Sequence, residues 1–171
     1  MGFLDSIVSL FEGWGRRLDP LAKNLTVRAN VLVEHRRADG TLVSRQEKHN
    51  IVVTAGKNWL RAHVGNTGTD RANYINLSSN ASAPGAADTD LLATIYTAFG
   101  LERQIGAYSA TTDGVFTCYK LFTCTADTKT VASVGLVHGD AAAQLFAGVA
   151  ITSAPLMNTD TLAVTWTVTF S

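Results

Sequence analysis

One segment of the chain alternates without a break between large apolar residues and small or hydroxyl-bearing residues: Thr161-Leu162-Ala163-Val164-Thr165-Trp166-Thr167-Val168-Thr169-Phe170. Because successive side chains of a β-strand point to opposite faces, this pattern predicts a strand with one apolar face and one threonine-rich face. A slip of one residue would expose the apolar face, so the register is strongly specified. The segment therefore places the C-terminal half in a β-sheet fold, and its threonine face suits either water or a neighbouring subunit.

Upstream of this strand, two short patterns predict a hairpin and a helix. Residues 25–36 and 41–47 alternate in the same way and flank the turn Ala38-Asp39-Gly40, so they predict a first β-hairpin. Ile51-Val52-Val53 is a short buried run, and residues 57–64 have the spacing of a two-turn helix. A short strand is predicted at 74–77, and Asp88-Thr89-Asp90 predicts either the cap of a short helix or a turn at 91–95.

From residue 115 onwards the chain is predicted to be a succession of strands separated by turn residues. This spacing is typical of antiparallel all-β domains. We therefore predict a mainly β fold, an antiparallel β-sandwich or jelly-roll-like domain with one or two short internal helices. The predicted strands cover 115–125, 130–138, 144–152 and 161–170.

An amphipathic helix is predicted over residues 1–20, ahead of every strand. A lone helix of this length is marginally stable unless its apolar stripe is covered. Three covers are open: the chain's own sheet, a neighbouring subunit or a membrane surface. If a neighbour covers it, the interface anchors are Phe3, Ile7, Phe11 and Trp14. The stripe recurs at intervals of three and four and consists of Phe3, Leu4, Ile7, Val8, Phe11, Trp14 and Leu18.

The predicted domain organisation follows from these patterns. Residues 1–20 form a docking arm, and residues 21–171 form a single β-rich domain. Within that domain, the first hairpin occupies 25–47 and the core sandwich 48–171.

Composition narrows the function classes. Of 171 residues, 46% are hydrophobic and only 16% are charged, against about 25% charged in typical globular domains. Such surfaces suit proteins packed against other subunits, so we expect a homo-oligomer.

The first 71 residues are net basic and the rest net acidic, which fits either a head-to-tail assembly or scatter over one surface. No Lys/Arg stripe with interleaved aromatics is present, so free nucleic acid is not an expected partner. No run of 18 apolar residues occurs, so no transmembrane segment is expected.

The residues that usually carry chemistry do not form a recognisable site. None of His35, His49, His63 and His138 has a neighbour at metal-ligand spacing, and we expect each to be a surface or interface residue. Asp88 and Asp90 fit a cap better than acid–base chemistry. Cys118 and Cys124 lie about 20 Å apart if they share one strand, too far for a disulfide. We therefore predict no catalytic, metal or cofactor residue, and a protein that is not an enzyme.

Six motifs follow one another along the chain: Asn50–Leu60, Tyr74–Ser79, Ala83-Pro84, Asp88–Leu92, Val134–Val137 and Asp160–Val168. Taken in this order, they resemble small β-rich virion proteins of tailed bacterial and archaeal viruses. The resemblance covers residues 48–170 and leaves the arm and the first hairpin unmatched. Val134 stands where that group usually has an acidic residue before Gly-Leu, and Ser78 stands where it has glycine.

The resemblance implies a virion structural protein assembled in the host cytoplasm, with other virion proteins as partners. The leading hypothesis is a capsid-surface decoration or cement subunit that binds neighbouring capsid subunits. Alternatives are a tail, baseplate or fibre-adaptor component of the same particle, and a carbohydrate-binding β-sandwich module. The latter needs exposed aromatics, for which Tyr74, Tyr96 and Tyr108 are the candidates.

Overall fold

The computed structural model of the chain describes residues 26–65, 71–92, 95–139 and 144–171. Within these ranges the protein is mainly β, as predicted, and its strands pair in antiparallel fashion. The predicted arm over residues 1–20, with Phe3, Ile7, Phe11 and Trp14, lies outside the described residues. The elements are β1 (Val27–Arg36), β2 (Leu42–Val52), α1 (Thr54–Gly65), β3 (Ala72–Ser78), β4 (Gln104–Ile105), β5 (Ala107–Thr112), β6 (Val115–Thr123), β7 (Lys129–His138), β8 (Leu145–Leu156) and β9 (Thr161–Phe170).

The strands form two antiparallel sheets in a sandwich arrangement. The first sheet has the order β2-β1-β9-β6-β5, and the second has the order β4-β3-β7-β8. Their inner faces share one core, in which Val31 and Trp166 of the first sheet cluster with Ile75, Leu136 and Phe146 of the second. The prediction of an antiparallel sandwich is confirmed at this level.

Strand β9 has the predicted register and lies near the middle of the first sheet. Trp166 is fully buried and pairs with Val31 of β1 on one side and Cys118 of β6 on the other. Phe170 packs against the same core and is partly buried. The threonines of β9 alternate with these residues, so they lie on the outer face of the sheet.

Strand β2 makes the first corner between the sheets. Most of β2 pairs with β1, whereas Ile51 and Val52 pair with Gly148 and Ala147 of β8. The amide of Gln46 adds a second link to β8, because its Nε2 donates to the carbonyl of Thr152 at 2.8 Å and its Oε1 accepts from the Thr152 amide at 2.7 Å. The side chain thus takes the place of a backbone partner where the two strands diverge.

The second corner lies at Gly106, which separates β4 from β5. Strand β4 pairs with β3 of the second sheet, and β5 pairs with β6 of the first. The Gly106 amide donates to the carbonyl of Asn73 at 2.6 Å. A Cβ at Gly106 would lie 2.5 Å from Sγ of Cys118, so no larger residue fits without a shift. Because residues 104–112 cross between the sheets as β2 does, hydrogen bonds close the sandwich at both edges.

A segment of irregular chain, residues 79–92, covers the outer face of the second sheet. Leu91 belongs to a small buried cluster with Val137 and Leu145. A Cβ on Gly148 would lie 2.9 Å from Cγ of Pro84, so the cover sits directly on the strands. Residues 89, 90 and 92 are bends and residue 95 is in an isolated β-bridge, so no described residue of the predicted segment 91–95 is helical. The predicted internal helix at 57–64 is confirmed as α1, which packs against β8.

Candidate interaction surface

The outer face of the first sheet exposes apolar side chains near the middle of that sheet. Thr165 of β9 pairs with Leu32 of β1 on one side and Tyr119 of β6 on the other, and Leu121 follows two residues after Tyr119 on the same face. Tyr119 is 43% exposed and Leu121 is 47% exposed. We call the outward residues of β1, β9 and β6 the open face; its apolar strip is Leu32, Tyr119, Leu121 and Ala163.

Charge is confined to one side of this face. The outward residues of β9 and β6 include no charged side chain, whereas those of β1 and β2 include arginines and glutamates. Glu34 lies 4.0 Å from the Arg36 guanidinium and 3.8 Å from that of Arg45, so part of this charge is paired. The uncharged side is formed by Thr161, Ala163, Thr165, Thr167 and Thr169 of β9 and by Val115, Thr117, Tyr119, Leu121 and Thr123 of β6.

Such a face is suited to binding. Hydroxyl groups satisfy hydrogen bonds with water or with a partner at low desolvation cost compared with charges. Tyr119 supplies a large, rigid contact with a polar tip, which is the residue type enriched at interfaces. The register of β6 carries the signal in the sequence, because Tyr119 and Leu121 have the opposite parity to the buried Cys118 and Phe122.

The end of the sandwich that holds the β8–β9 turn exposes a second aromatic side chain, Phe99. It is 45% exposed and has a positive φ of 70°, a region that costs a non-glycine residue about 1–2 kcal/mol. Its carbonyl accepts from the Thr125 amide at 3.0 Å, and Nζ of Lys129 lies 4.1 Å from the centre of its ring. The ring is therefore held by a cation–π contact, and the backbone by the adjoining loop.

The expectation that each histidine is a surface or interface residue is wrong for His35. Its side chain is buried, and Nε2 lies 3.0 Å from Oδ2 of Asp160, which also accepts from the Met157 amide at 3.0 Å. His35 has the same parity in β1 as the buried Val31, and this was the available signal. Burial raises the pKa of Asp160, but the hydrogen bonds from His35 and Met157 outweigh it, so the net pKa is lowered.

The other histidines have different surroundings. His49 is exposed, and its Nδ1 lies 2.7 Å from Oδ1 of Asn30. His138 is half-buried and stacks on Trp59, with ring centres 5.6 Å apart. The side chain of His63 lies outside the described residues. The structure thus brings no two of the described histidines together into a common site.

The two aspartates considered for acid–base chemistry hold the loop that covers the second sheet. Arg103 donates to Asp90 at 3.2 Å, and the amide of buried Asn76 donates to the same carboxylate at 3.0 Å. Asp88 accepts from the Gly85 amide at 2.7 Å, which closes a turn. The contacts of Asp90 tie this loop to β3 and to Arg103, which directly precedes β4, whereas the contact of Asp88 lies within the loop.

Both cysteines are buried, and the tyrosines Tyr74 and Tyr96 are half-buried. Cys118 and Cys124 are both free and buried, as expected, and burial raises the pKa of Cys118 to about 12. Tyr74 packs against the cluster around Leu91, and the hydroxyl of Tyr96 donates to the Thr130 carbonyl at 2.7 Å.

Of the sugar-binding candidates, only Tyr108 is exposed. Its ring stacks on that of Phe116 with centres 5.3 Å apart, and the Arg71 guanidinium lies 5.6 Å from its centre. The ring of Tyr108 is therefore already in contact with one aromatic ring and one guanidinium group, and it does not form an aromatic platform with Tyr74 or Tyr96.

The described residues contain no group of three or more His, Cys, Asp or Glu side chains arranged to hold a metal ion. Among the same residues, α1 included, no helix combines the length and the apolar character needed to cross a membrane. Comparison of the chain with protein-family models, with curated proteins and with solved structures gives no match.

Proposed function

We propose that this protein is a structural subunit of a tailed-virus particle, most specifically a capsid-surface decoration or cement subunit that acts by binding its neighbours. The open face carries the proposal. It presents exposed Tyr119 and Leu121 beside several threonines, and the outward residues of β9 and β6 include no charged side chain. The ordered motifs that resemble those of small virion proteins support the same assignment.

The closed sandwich suits this role mechanically. An ordinary sandwich leaves edge strands that can pair with other chains. Here β2 and the 104–112 segment cross between the sheets at the two edges, which leaves less free edge for β-pairing. Lateral contacts of such a subunit would therefore use side chains of a face, and the open face offers an uncharged part formed by the outward residues of β9 and β6.

The predicted arm supplies the second half of the interface. Its anchors, Phe3, Ile7, Phe11 and Trp14, are the large apolar side chains of an amphipathic stripe. Buried aromatic side chains contribute a large share of binding energy at interfaces. A subunit that carries both an arm and a receptive face can join copies of itself and other virion proteins, so we include homo-oligomerisation in the proposal.

Localisation on purified particles tests this proposal. Antibody against the full-length chain would be applied to tailed-virus particles from a culture that expresses it, and the label would be imaged by electron microscopy. We expect regular labelling of the capsid surface. Label at the baseplate or fibres would assign the chain to the tail instead, and particles free of the chain would refute a virion role.

A further inference from the structure

We propose that two copies of this chain pair through the outer edge of β5, the edge that faces away from β6. The two β5 strands would run antiparallel around a two-fold axis and join the two first sheets side by side. This contact lies on an edge and not on the open face, so it goes beyond the proposed function and has its own test.

Strand β5 is paired along one side only. Among the described strands it lies at the end of the first sheet, with β6 as its neighbour. The preceding Gly106 amide still donates to the carbonyl of Asn73 at the corner, but no backbone hydrogen bond between described residues reaches the outer edge of β5. Free strand edges are the places where a sheet accepts a further strand. The crossing at Gly106 thus leaves one short piece of edge free.

The backbone groups at this edge can be identified from Gly106. Its amide points toward Asn73 and away from β6. Because the hydrogen-bonding direction alternates along a strand, the N–H and C=O groups of Tyr108 and Ala110 point to the same edge as that amide. The carbonyl of Ser109 faces β6 instead, where Oγ1 of Thr117 lies 3.5 Å away. Two donors and two acceptors are therefore free, and the bulge after Ala110 ends the regular edge there.

A second copy of β5 satisfies these four groups at once. If Ser109 lies opposite Ser109 of the second copy, Tyr108 lies opposite Ala110 of the second copy, and the reverse holds by symmetry. Each of these two couples exchanges two backbone hydrogen bonds. The large ring of Tyr108 then lies beside a small side chain. The edge is thus complementary to itself in both hydrogen bonding and shape.

The charges around β5 also favour a second copy. Residues 104–112 contain no charged residue and no proline, the residue types that commonly protect an edge from pairing. Exposed Arg71 lies beside Tyr108, with its guanidinium 5.6 Å from the ring centre, and exposed Asp113 follows the other end of β5. Antiparallel pairing moves Asp113 of the second copy toward the end that holds Arg71, and symmetry repeats this opposite-charge approach.

Exposed apolar side chains flank the same edge. Ile105 is 55% exposed, Tyr108 is 42% exposed, and Tyr119 of the open face pairs with Ala107 of β5. A neighbouring strand would cover part of this surface. A two-fold axis perpendicular to the sheet keeps both open faces on the same side, so the pair would present them as one continuous surface.

The experiment is a disulfide trap in the full-length chain with Ser109→Cys. At a position without backbone hydrogen bonds between the strands, the two Cα atoms lie about 4.5 Å apart, within the range of a disulfide. Ala107→Cys is the matched control, because it is exposed on the same strand and face. Its two copies would be offset by four residues, about 13 Å along the strands. The native Cys118 and Cys124 are buried, and oxidised wild type measures any bond that they form.

We expect Ser109→Cys to form a disulfide-linked dimer at least about tenfold faster than Ala107→Cys, because the pairing holds its two thiols together. Equal rates, or a faster reaction of Ala107→Cys, would overturn the proposed pairing.

Sedimentation of the reduced proteins provides a second measurement. Ala110→Lys places a cation at the edge, near Arg71 of the second copy, and Ser153→Lys adds the same charge at an exposed position on β8. We expect wild type and Ser153→Lys to dimerise alike, and the dissociation constant of Ala110→Lys to rise at least about tenfold. A dimer that Ala110→Lys leaves unchanged, or wild type that stays monomeric, would overturn the proposal. Neither readout involves a virus particle, so its failure is distinguishable from failure of the virion role.

Discussion

Replacement of Gly106 by alanine tests whether the sandwich is closed at its second corner. The new Cβ would lie 2.5 Å from Sγ of Cys118 and 3.0 Å from the carbonyl oxygen of Tyr119. Both neighbours belong to β6, and Cys118 is fully buried, so the corner must shift to make room. Overpacking of this kind costs about 1–3 kcal/mol of unfolding free energy. For a domain of this size the melting temperature should fall by about 2–12 °C.

The assay is urea unfolding of purified Gly106→Ala followed by circular dichroism, with Gly85→Ala as the control. A Cβ at Gly85 would meet its nearest atom, Oδ2 of Asp88, only at 3.7 Å, and we expect a change within about 0.5 kcal/mol there. The double variant with Cys118→Ala removes the closest clash, so the two substitutions should be coupled, with part of the loss recovered. If Gly106→Ala is as stable as wild type, or if Cys118→Ala recovers nothing, the close corner is refuted.

Three further substitutions test other contacts. Because the pKa of Asp160 is lowered, the contribution of its carboxylate to stability is present above the ordinary value of 3.8 and is lost as the pH falls below it. The unfolding free energy of Asp160→Asn should therefore change less between pH 6 and pH 3 than that of the wild type. An unchanged dependence on pH would contradict the role of the His35 contact. Gln46→Ala removes two hydrogen bonds to Thr152 and should cost about 1–3 kcal/mol in urea unfolding, whereas no loss would mean that the first corner does not need them. Trp166→Ala should cost about 3–5 kcal/mol, because its ring is fully buried between the sheets, and a smaller loss in calorimetry would contradict that packing.

The strands that could be predicted from sequence are those in which the residue types themselves indicate which side chains are buried. Strand β9 was predicted at 161–170 and forms there, because its alternation places Trp166 and its neighbours in the core without help from other segments. The neighbouring β7 extends over Lys129–His138, close to the predicted 130–138, and is buried on both faces because residues 79–92 cover it. In such strands local pattern and tertiary environment agree.

The corner strands could not be predicted in the same way. Residues 104–112 carry Gly106 and several small residues, and no apolar alternation marks them as β4 and β5. Their strand conformation depends on partners in two different sheets, which is a tertiary effect. Strand β2 was likewise predicted to end at 47 but continues to Val52. Residues 48–50 are polar, so no apolar alternation indicates a strand there. The last two residues of β2 pair with β8, which is distant in sequence.

The candidate surface was predictable only in part. The threonine face of β9 follows from its sequence, but the exposed Tyr119 and Leu121 join it only through the pairing of β6 with β9. His35 shows the reverse case, because its parity indicated burial while its polarity favoured the surface. Its partner Asp160 is 125 residues away in sequence, so only the fold brings the two together.

The central proposal, that the protein joins a virus particle through its open face, is tested most directly by binding to particles that lack the chain. Full-length protein, Leu121→Asp and the control Ser153→Asp would be added to such particles at equal concentration, and bound protein would be measured after sedimentation. We expect wild type and Ser153→Asp to bind alike and Leu121→Asp to lose at least about tenfold in affinity, because a charge would have to be buried at the contact. Equal binding of Leu121→Asp and wild type, or no binding of wild type at all, would contradict the proposal.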